Sequence, residues 1–403
     1  MESPKRQKLN DEDPKILVRD IDFLPNEIIM NIFSYLNIKE LYKCAHVSKK
    51  FRQISHDKSF WKSVNLYKQR VSSQFIAQIL RLGTEYLNLQ EVTILDDTYA
   101  VWGDRVYDRD EELRPSHYAS MPRKNNLKYL NMAFSSVEDT FLVKLLRSSV
   151  CLEKISLREV NQKDIEFRHI PDQDQFLVTA RRSWYIECLL PNAKMLTSLD
   201  LSINTRSVHD LYPVDSASME EILLNCVELK EANFEGQITD VKFFANNLTP
   251  KIEKLNISHN YDFVYEHIFQ LVKRCNNITE LDLDCCDLDI ARVEEDNEAK
   301  ENQHCLIAIS ENLSQSLVKL QLGATSTIYH EFLKSLPKLR YLWKAPWTHG
   351  DEYGDATEIM KEYPHIFFNE GTAKIAHCSN EYFEPEKGLW EVKCPAVDLF
   401  KTQ

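Results

Sequence analysis

Residues 252–260 read Ile-Glu-Lys-Leu-Asn-Ile-Ser-His-Asn, with apolar side chains at the first, fourth and sixth positions and an asparagine at the ninth. Side chains alternate along a strand, so Leu255 and Ile257 turn towards one another's neighbours in a core while Lys254 and Asn256 face away. The same L-x-x-L-x-L segment recurs nine times, starting at Leu89, Leu127, Leu152, Leu196, Leu229, Ile252, Ile278, Leu317 and Leu339. The fourth position is Val92, Leu130, Ile155, Leu199, Ala232, Leu255, Leu281, Leu320 and Leu342. The sixth is Ile94, Met132, Leu157, Leu201, Phe234, Ile257, Leu283 and Leu322, with Lys344 breaking the pattern in the last copy. The intervals are 38, 25, 44, 33, 23, 26, 39 and 22 residues.

A short strand repeated every ~20 to 29 residues is the signature of a leucine-rich repeat. Four intervals are near that length, and the others carry insertions at 96–126, 158–195, 202–228 and 284–316. The expected fold is α/β: a curved solenoid over 89–343 with parallel strands on its concave side. The ninth positions Asn204, Asn260 and Cys286 suit side chains that satisfy backbone groups after the strand. Thr140–Leu146, Met219–Leu224, Val264–Val272 and Leu306–Leu313 are amphipathic and supply outer helices. Each repeat buries its apolar face only against neighbours, so the ends need caps. Residues 66–88 read as a helical junction and cap. The aromatic-rich tail 344–403 either closes the last repeat or folds back along the groove.

Composition narrows the function. The 403 residues carry 49 Lys and Arg against 62 Asp and Glu, a formal net charge of -13. That balance argues against an extended duplex-DNA footprint, and no nucleic acid partner is expected. Only eight Gly are present, with no GxG and no GxxxxGK, so phosphate-cradling folds are excluded. No apolar run reaches the ~18 to 20 residues of a membrane span, and no secretory signal is read at the start. The ten Cys hold no CxxC and read as reduced thiols of a nuclear or cytosolic protein. Pro4-Lys5-Arg6-Gln7-Lys8 reads either as a weak nuclear-import signal or as part of a disordered tail, residues 1–19. No HExxH, GxSxG or regular metal spacing occurs, so the chain reads as non-catalytic, without cofactor or metal.

Residues 20–65 form a separate helical signal. Leu24-Pro25-Asn26-Glu27 opens a helix, with Pro suited to its first position and Glu27 to the positive end of its dipole. Ile28, Ile29, Ile32, Phe33 and Leu36 follow at helical spacing, Asn37 can cap a second helix, and Ser48 and Phe51 begin a third segment ending at Phe60-Trp61. About 45 residues are too few for a self-sufficient core. This stretch resembles an F-box, the match running through Leu24, Pro25, Glu27, Ile32, Phe33, Leu36, Leu41, Val47, Ser48, Phe51 and Trp61. Phe51 stands where many members have Trp. The resemblance implies an F-box at 20–65 binding a Skp-type adaptor and, through it, a cullin–RING ubiquitin ligase. The adaptor-binding residues it implies are Leu24, Pro25, Glu27, Ile28, Ile32, Leu36, Leu41, Val47 and Trp61. Cys226 and Cys275, three residues before a strand, resemble the packing cysteines of F-box/leucine-rich-repeat relatives.

The whole chain therefore resembles an F-box/leucine-rich-repeat substrate receptor of an SCF-type ligase, in the nucleus or cytoplasm; a non-degradative scaffold is the alternative. The substrate would bind on strand residues flanking the fourth position, Tyr129, Lys154, Asp200, Glu231, Lys254, Glu280, Asp282, Tyr341 and Trp343, and on Arg158 at the seventh. Glu231, Glu235, Glu280, Asp282 and Asp284 against Lys254 suggest either an acidic strip for a basic partner segment or a solvated charged face. Tyr341 and Trp343 suit hot spots. In the insertion 96–126, Tyr99, Trp102 and Tyr107 either contact a partner or pin the loop.

Overall fold

The computed structural model describes residues 24–95, 121–160, 185–203, 214–284, 286, 298–323, 330–344 and 361–370. The expectations placed on residues 1–19, Tyr99, Trp102, Tyr107, Asn204 and most of 344–403 lie outside these residues. The chain divides into two compact units, Met1–Val64 and Asn65–Gln403.

The first unit packs short helices α1 (Asn26–Phe33), α2 (Ile38–Cys44), α3 (Lys49–Ser55) and α4 (Lys58–Trp61). Pro25 occupies the N-cap position rather than the first helical one, and its carbonyl accepts from the N–H groups of Ile28 and Ile29. Asn37 and Glu40 form a reciprocal capping box at the start of α2. The Ser48 hydroxyl caps α3 by accepting from Phe51 N–H at 3.1 Å. The expected third segment breaks at Asp57, whose carboxylate caps the separate turn α4. Ile29, Phe33, Leu41, Phe51, Ile54 and Trp61 make the core, with Phe33 and Phe51 edge to face at 5.2 Å. The buried Trp61 indole donates to the Ser55 carbonyl at 2.6 Å, so its polar edge is satisfied.

Strand β1 (Ser63–Asn65) straddles the boundary between the units. Beyond it lie β2 (Arg70–Ser72), β3 (Tyr86–Asn88), β4 (Thr93–Leu95), β5 (Tyr129–Asn131), β6 (Lys154–Ser156) and β7 (Ser198–Asp200). They continue as β8 (Glu231–Asn233), β9 (Lys254–Asn256), β10 (Glu280–Leu283), β11 (Lys319–Leu322), β12 (Tyr341–Lys344) and β13 (Phe367–Glu370). From β3 and β5 to β13 these strands form one parallel ladder in chain order. Fourth positions stack directly: Leu255 pairs with Leu281, Leu281 with Leu320, and Leu320 with Leu342. Helices Asp139–Ser148, Ser216–Asn225, Tyr265–Arg274 and Glu298–Leu313 take up the four amphipathic stretches read from the sequence, with Val264 as the N-cap of the third. Parallel neighbours require such crossovers, and the ladder with its intervening helices is a leucine-rich-repeat solenoid.

Both ends of the array differ from the sequence reading. The ladder reaches further back than the sequence reading: β1 and β3 precede β5, with Leu87 opposite Leu130. The segment read as the first repeat, at Leu89, instead supplies β4, which pairs with β2 in a separate two-stranded sheet. The expected helical junction 66–88 accordingly holds β2, the helix Ser73–Arg81 and a repeat strand. At the other end β13 adds a strand beyond residue 343, with Phe368 opposite Leu342.

Two columns of backbone chemistry recur at the ends of several strands. At the fifth position Asn131, Asp200, Asn233, Asn256 and Asp282 turn back, each accepting from the N–H two residues on at 2.8–3.2 Å. At the eighth position Glu91, Phe134, Glu159, Gly236 and His259 all adopt positive φ, between 46° and 63°. This left-handed step lifts the chain out of the strand. Asn260 acts as expected of a ninth position: its side-chain oxygen accepts from Ile238 N–H at 2.8 Å, and its amide donates to the carbonyls of Phe234 and Ile257.

Candidate functional site

On the first unit, α1 leaves part of its apolar surface uncovered. Ile29 and Phe33 face inwards, whereas Ile28 and Ile32 are 47% and 44% exposed. Val47, between α2 and α3, is 69% exposed. One helical turn separates Ile28 from Ile32, so they form a strip. Pro25 and Glu27 are exposed beside them, and Leu24 and Leu36 are half-buried. Lys50 fixes the entry of the chain by donating to the Leu24 carbonyl at 2.7 Å. Leu41 and Trp61, expected to touch an adaptor, are each only 2% exposed, so they carry the unit's core and offer a partner no surface.

On the second unit, the third position of each strand faces the open side of the ladder. There Lys154, Glu231, Lys254, Glu280 and Lys319 form an alternating charge ladder. The Lys154 ammonium lies 3.3 Å from Glu231, Lys254 lies 3.5 Å from Glu231 and 3.6 Å from Glu280, and Lys319 lies 3.1 Å from Glu280. Lys154 reaches across a whole strand because the intervening third position is the small Ser198. Aromatic rings flank the ladder. Tyr129 stacks on Tyr86 at 4.6 Å at one end, and at the other Lys319 sits 5.7 Å above the ring of Tyr341, which is 41% exposed and neighbours Phe367. Trp343 is half-buried on the same strand as Tyr341.

The fifth-position acids do not line this face. Asp200 is buried and accepts from Ser156 Oγ at 2.8 Å and from Ser202 N–H and Oγ. Asp282 is buried as well, and burial drives its carboxyl well above the ordinary carboxylate range. The acidic strip suggested by the sequence is thus corrected to a mixed-charge face. Glu231 and Glu280 are bound to lysines, and two of the expected substrate contacts are structural. Sequence reasoning missed Tyr86 and Phe367, which belong to strands whose first positions are Thr84 and His365 in place of leucine. It also missed the inward turn of the fifth column, although its run of Asn, Asp and Ser was visible.

Just past the strands, at the seventh and eighth positions, Glu235 lies 3.8 Å from Arg158 and 3.8 Å from His259. Burial pushes the Glu235 carboxyl up to about 7, against the opposing pull of Arg158 and with added repulsion from Asp200, Glu159 and Asp284. Burial lowers the neighbouring His259 imidazole, opposed by Asp284. The thiols of Cys226 and Cys275 are pushed up to about 12 by burial, which makes them packing groups rather than nucleophiles. Among the described residues, no cluster of three or more His, Cys, Asp or Glu side chains can hold a metal, and no helix is long and apolar enough to cross a membrane.

Comparison with known proteins gives a family likeness to the first unit. The F-box-like family model matches residues 21–67, so the chain carries an F-box-like domain ahead of its leucine-rich repeats. The ubiquitin ligase complex F-box protein UFO1 of Saccharomyces cerevisiae is 37% identical over 79 residues, 19% of this chain and 11% of that protein. F-box/LRR-repeat protein 5 of Mus musculus is 48% identical over 42 residues, 10% of this chain and 6% of that one. The chain thus spans only a small part of the length of these relatives. Among solved structures, an internalin of Listeria monocytogenes aligns over 73% of this chain and 75% of its own at 15% identity, with a TM-score of 0.34.

Proposed function

We propose that this chain is a substrate-recognition subunit of an SCF-type cullin–RING ubiquitin ligase. The F-box-like domain docks on a Skp-type adaptor and the repeat face holds a protein client in the nucleus or cytoplasm. The observation that supports this best is the exposure of Pro25, Ile28, Ile32 and Val47 inside the segment that matches the F-box-like model. Exposed aliphatic residues at one helical turn's spacing suit a partner's apolar groove. The chain itself supplies no chemistry in this reading. It raises the effective concentration of client lysines near a charged conjugating enzyme held by other subunits.

The open face suits a client that presents both charge signs and an aromatic or apolar anchor. Its lysines and glutamates are mutually paired, and its ends carry Tyr129 and Tyr341. The test is capture of purified Skp-type adaptor by the full chain. Wild type is expected to retain it, and Ile28→Asp with Val47→Asp to release it without loss of folding. Equal capture by the double variant overturns the reading. Capture without cullin recruitment, or without client stabilisation after depletion, favours the scaffold instead.

A further inference from the structure

We propose that the far end of the repeat array contains a pocket for a phosphate monoester carried on an aromatic stem. The pocket has a volume of about 410 Å³ and is lined by Leu333, Lys334, Pro337, Arg340, Tyr363 and His365. Its residues come from the end of the helix His330–Lys334, the approach to β12 and the turn before β13. Leu333 and Tyr363 are buried and form, with Pro337, an apolar surface, while Lys334, Arg340 and His365 are exposed around it. The volume falls in the range of small-ligand sites, which pair apolar walls with a few placed polar groups.

Charge carries the argument further. On the open face Lys154, Arg158, Lys254 and Lys319 each stand within 4 Å of a carboxylate. Lys334, Arg340 and His365 form no ion pair among the described residues, in a chain whose net charge is -13. Arg340 is also held in place: one guanidinium nitrogen donates to the carbonyls of Pro337 and Leu339 at 3.0 and 2.9 Å, leaving its other N–H groups for a ligand. A guanidinium with an ammonium beside it matches phosphate oxygens, and a fixed guanidinium loses less entropy on binding. Glu331 and Glu362 lie near enough to Tyr363 to help raise its phenol, after burial. Their charge opposes any anion, so the attraction has to come from the directed donors of Arg340 and Lys334. The ring of Tyr363 and the Pro337 wall suit an aromatic stem better than a bare ion. A phosphorylated tyrosine of a bound protein and a free aryl phosphate share this chemistry.

Every lining residue belongs to the second unit, so this inference stands apart from adaptor docking. The experiment is isothermal titration of the full chain with phenyl phosphate, inorganic phosphate and O-phosphotyrosine amide, at low and at high salt. Phenyl phosphate is expected to bind saturably at one site and to weaken in salt. Lys334→Glu and His365→Glu, both on exposed side chains, are expected to weaken it about tenfold each with melting unchanged. Inorganic phosphate is expected to bind more weakly. Tighter binding of O-phosphotyrosine amide assigns the site to a protein client, and equal or weaker binding assigns it to a free aryl phosphate. Absence of saturable binding, or indifference to Lys334→Glu, overturns the proposal, and inorganic phosphate binding as well as phenyl phosphate removes the aromatic stem from it.

Discussion

The carboxylate of Glu235 lies 3.8 Å from the Nε2 of His259, one repeat further along the ladder, and Glu235 is almost wholly buried. An acid whose folded pKa is about 7 keeps a proton that the unfolded chain gives up near 4.5. Between those values the folded state binds more protons, so stability falls as pH rises, by on the order of 2 to 3 kcal/mol from this group. His259, lowered by burial, works in the opposite direction up to its unfolded value. Glu235→Gln is therefore expected to flatten the decline in melting temperature between pH 5 and pH 7.5. Calorimetry across that window checks it, and a variant whose decline matches wild type sinks the assignment.

A second expectation concerns the F-box-like unit, where exposed and buried apolar residues should part company. Leu41→Ala is expected to lower stability by about 2 to 4 kcal/mol and Trp61→Ala by about 3 to 5 kcal/mol, through the cavities they leave. Ile32→Ser should change stability by under about 1 kcal/mol and act on adaptor affinity instead. Urea melts beside adaptor titrations separate the two effects. If Ile32→Ser unfolds the unit, the strip is not a free surface.

Gly236 is the one glycine in the column of left-handed eighth positions, with φ of 63°. Gly236→Ala is expected to cost about 1 to 2 kcal/mol, since a Cβ crowds the following carbonyl there. Its buried surroundings leave little room for the backbone to relax. Denaturant titration gives the value, and a neutral result would mean that the turn tolerates a Cβ as it does at Phe134.

Asn260 is buried and satisfies one N–H and several carbonyls of two successive repeats. Asn260→Leu keeps the branching of the side chain, adds bulk and removes these bonds. A loss of about 2 to 4 kcal/mol is expected, because buried backbone groups are left without partners. The loss should reach into the preceding repeat, so amide exchange at Ile238 is expected to quicken together with that at Asn260.

The apolar columns were legible in the sequence because their physics is local. Leu255 and Ile257 sit two residues apart on one face, and every copy repeats that spacing. Where a polar or bulky residue took a column position, the signal vanished: Thr84 hid the strand at Leu87, and His365 hid the one at Phe368. The strand at Leu89 was then misread, since Leu89 serves as the sixth position of the preceding copy. The charge ladder was illegible for another reason. Lys154 and Glu231 are 77 residues apart, and their contact depends on the register of three strands and on the smallness of Ser198. The fifth-position acids misled because strand alternation sends them outwards, while the Asx turn folds their side chains back over the following N–H.

The alternating ladder has a consequence for how this array can change over time. Each strand pairs with its neighbours in the same register, so the backbone alone would let one repeat be excised and the cut ends rejoined. Excising the repeat that holds Lys254 would set Glu231 directly against Glu280, two like charges on adjacent strands. The modules are therefore not exchangeable parts, and their sequence along the chain is proofread by charge.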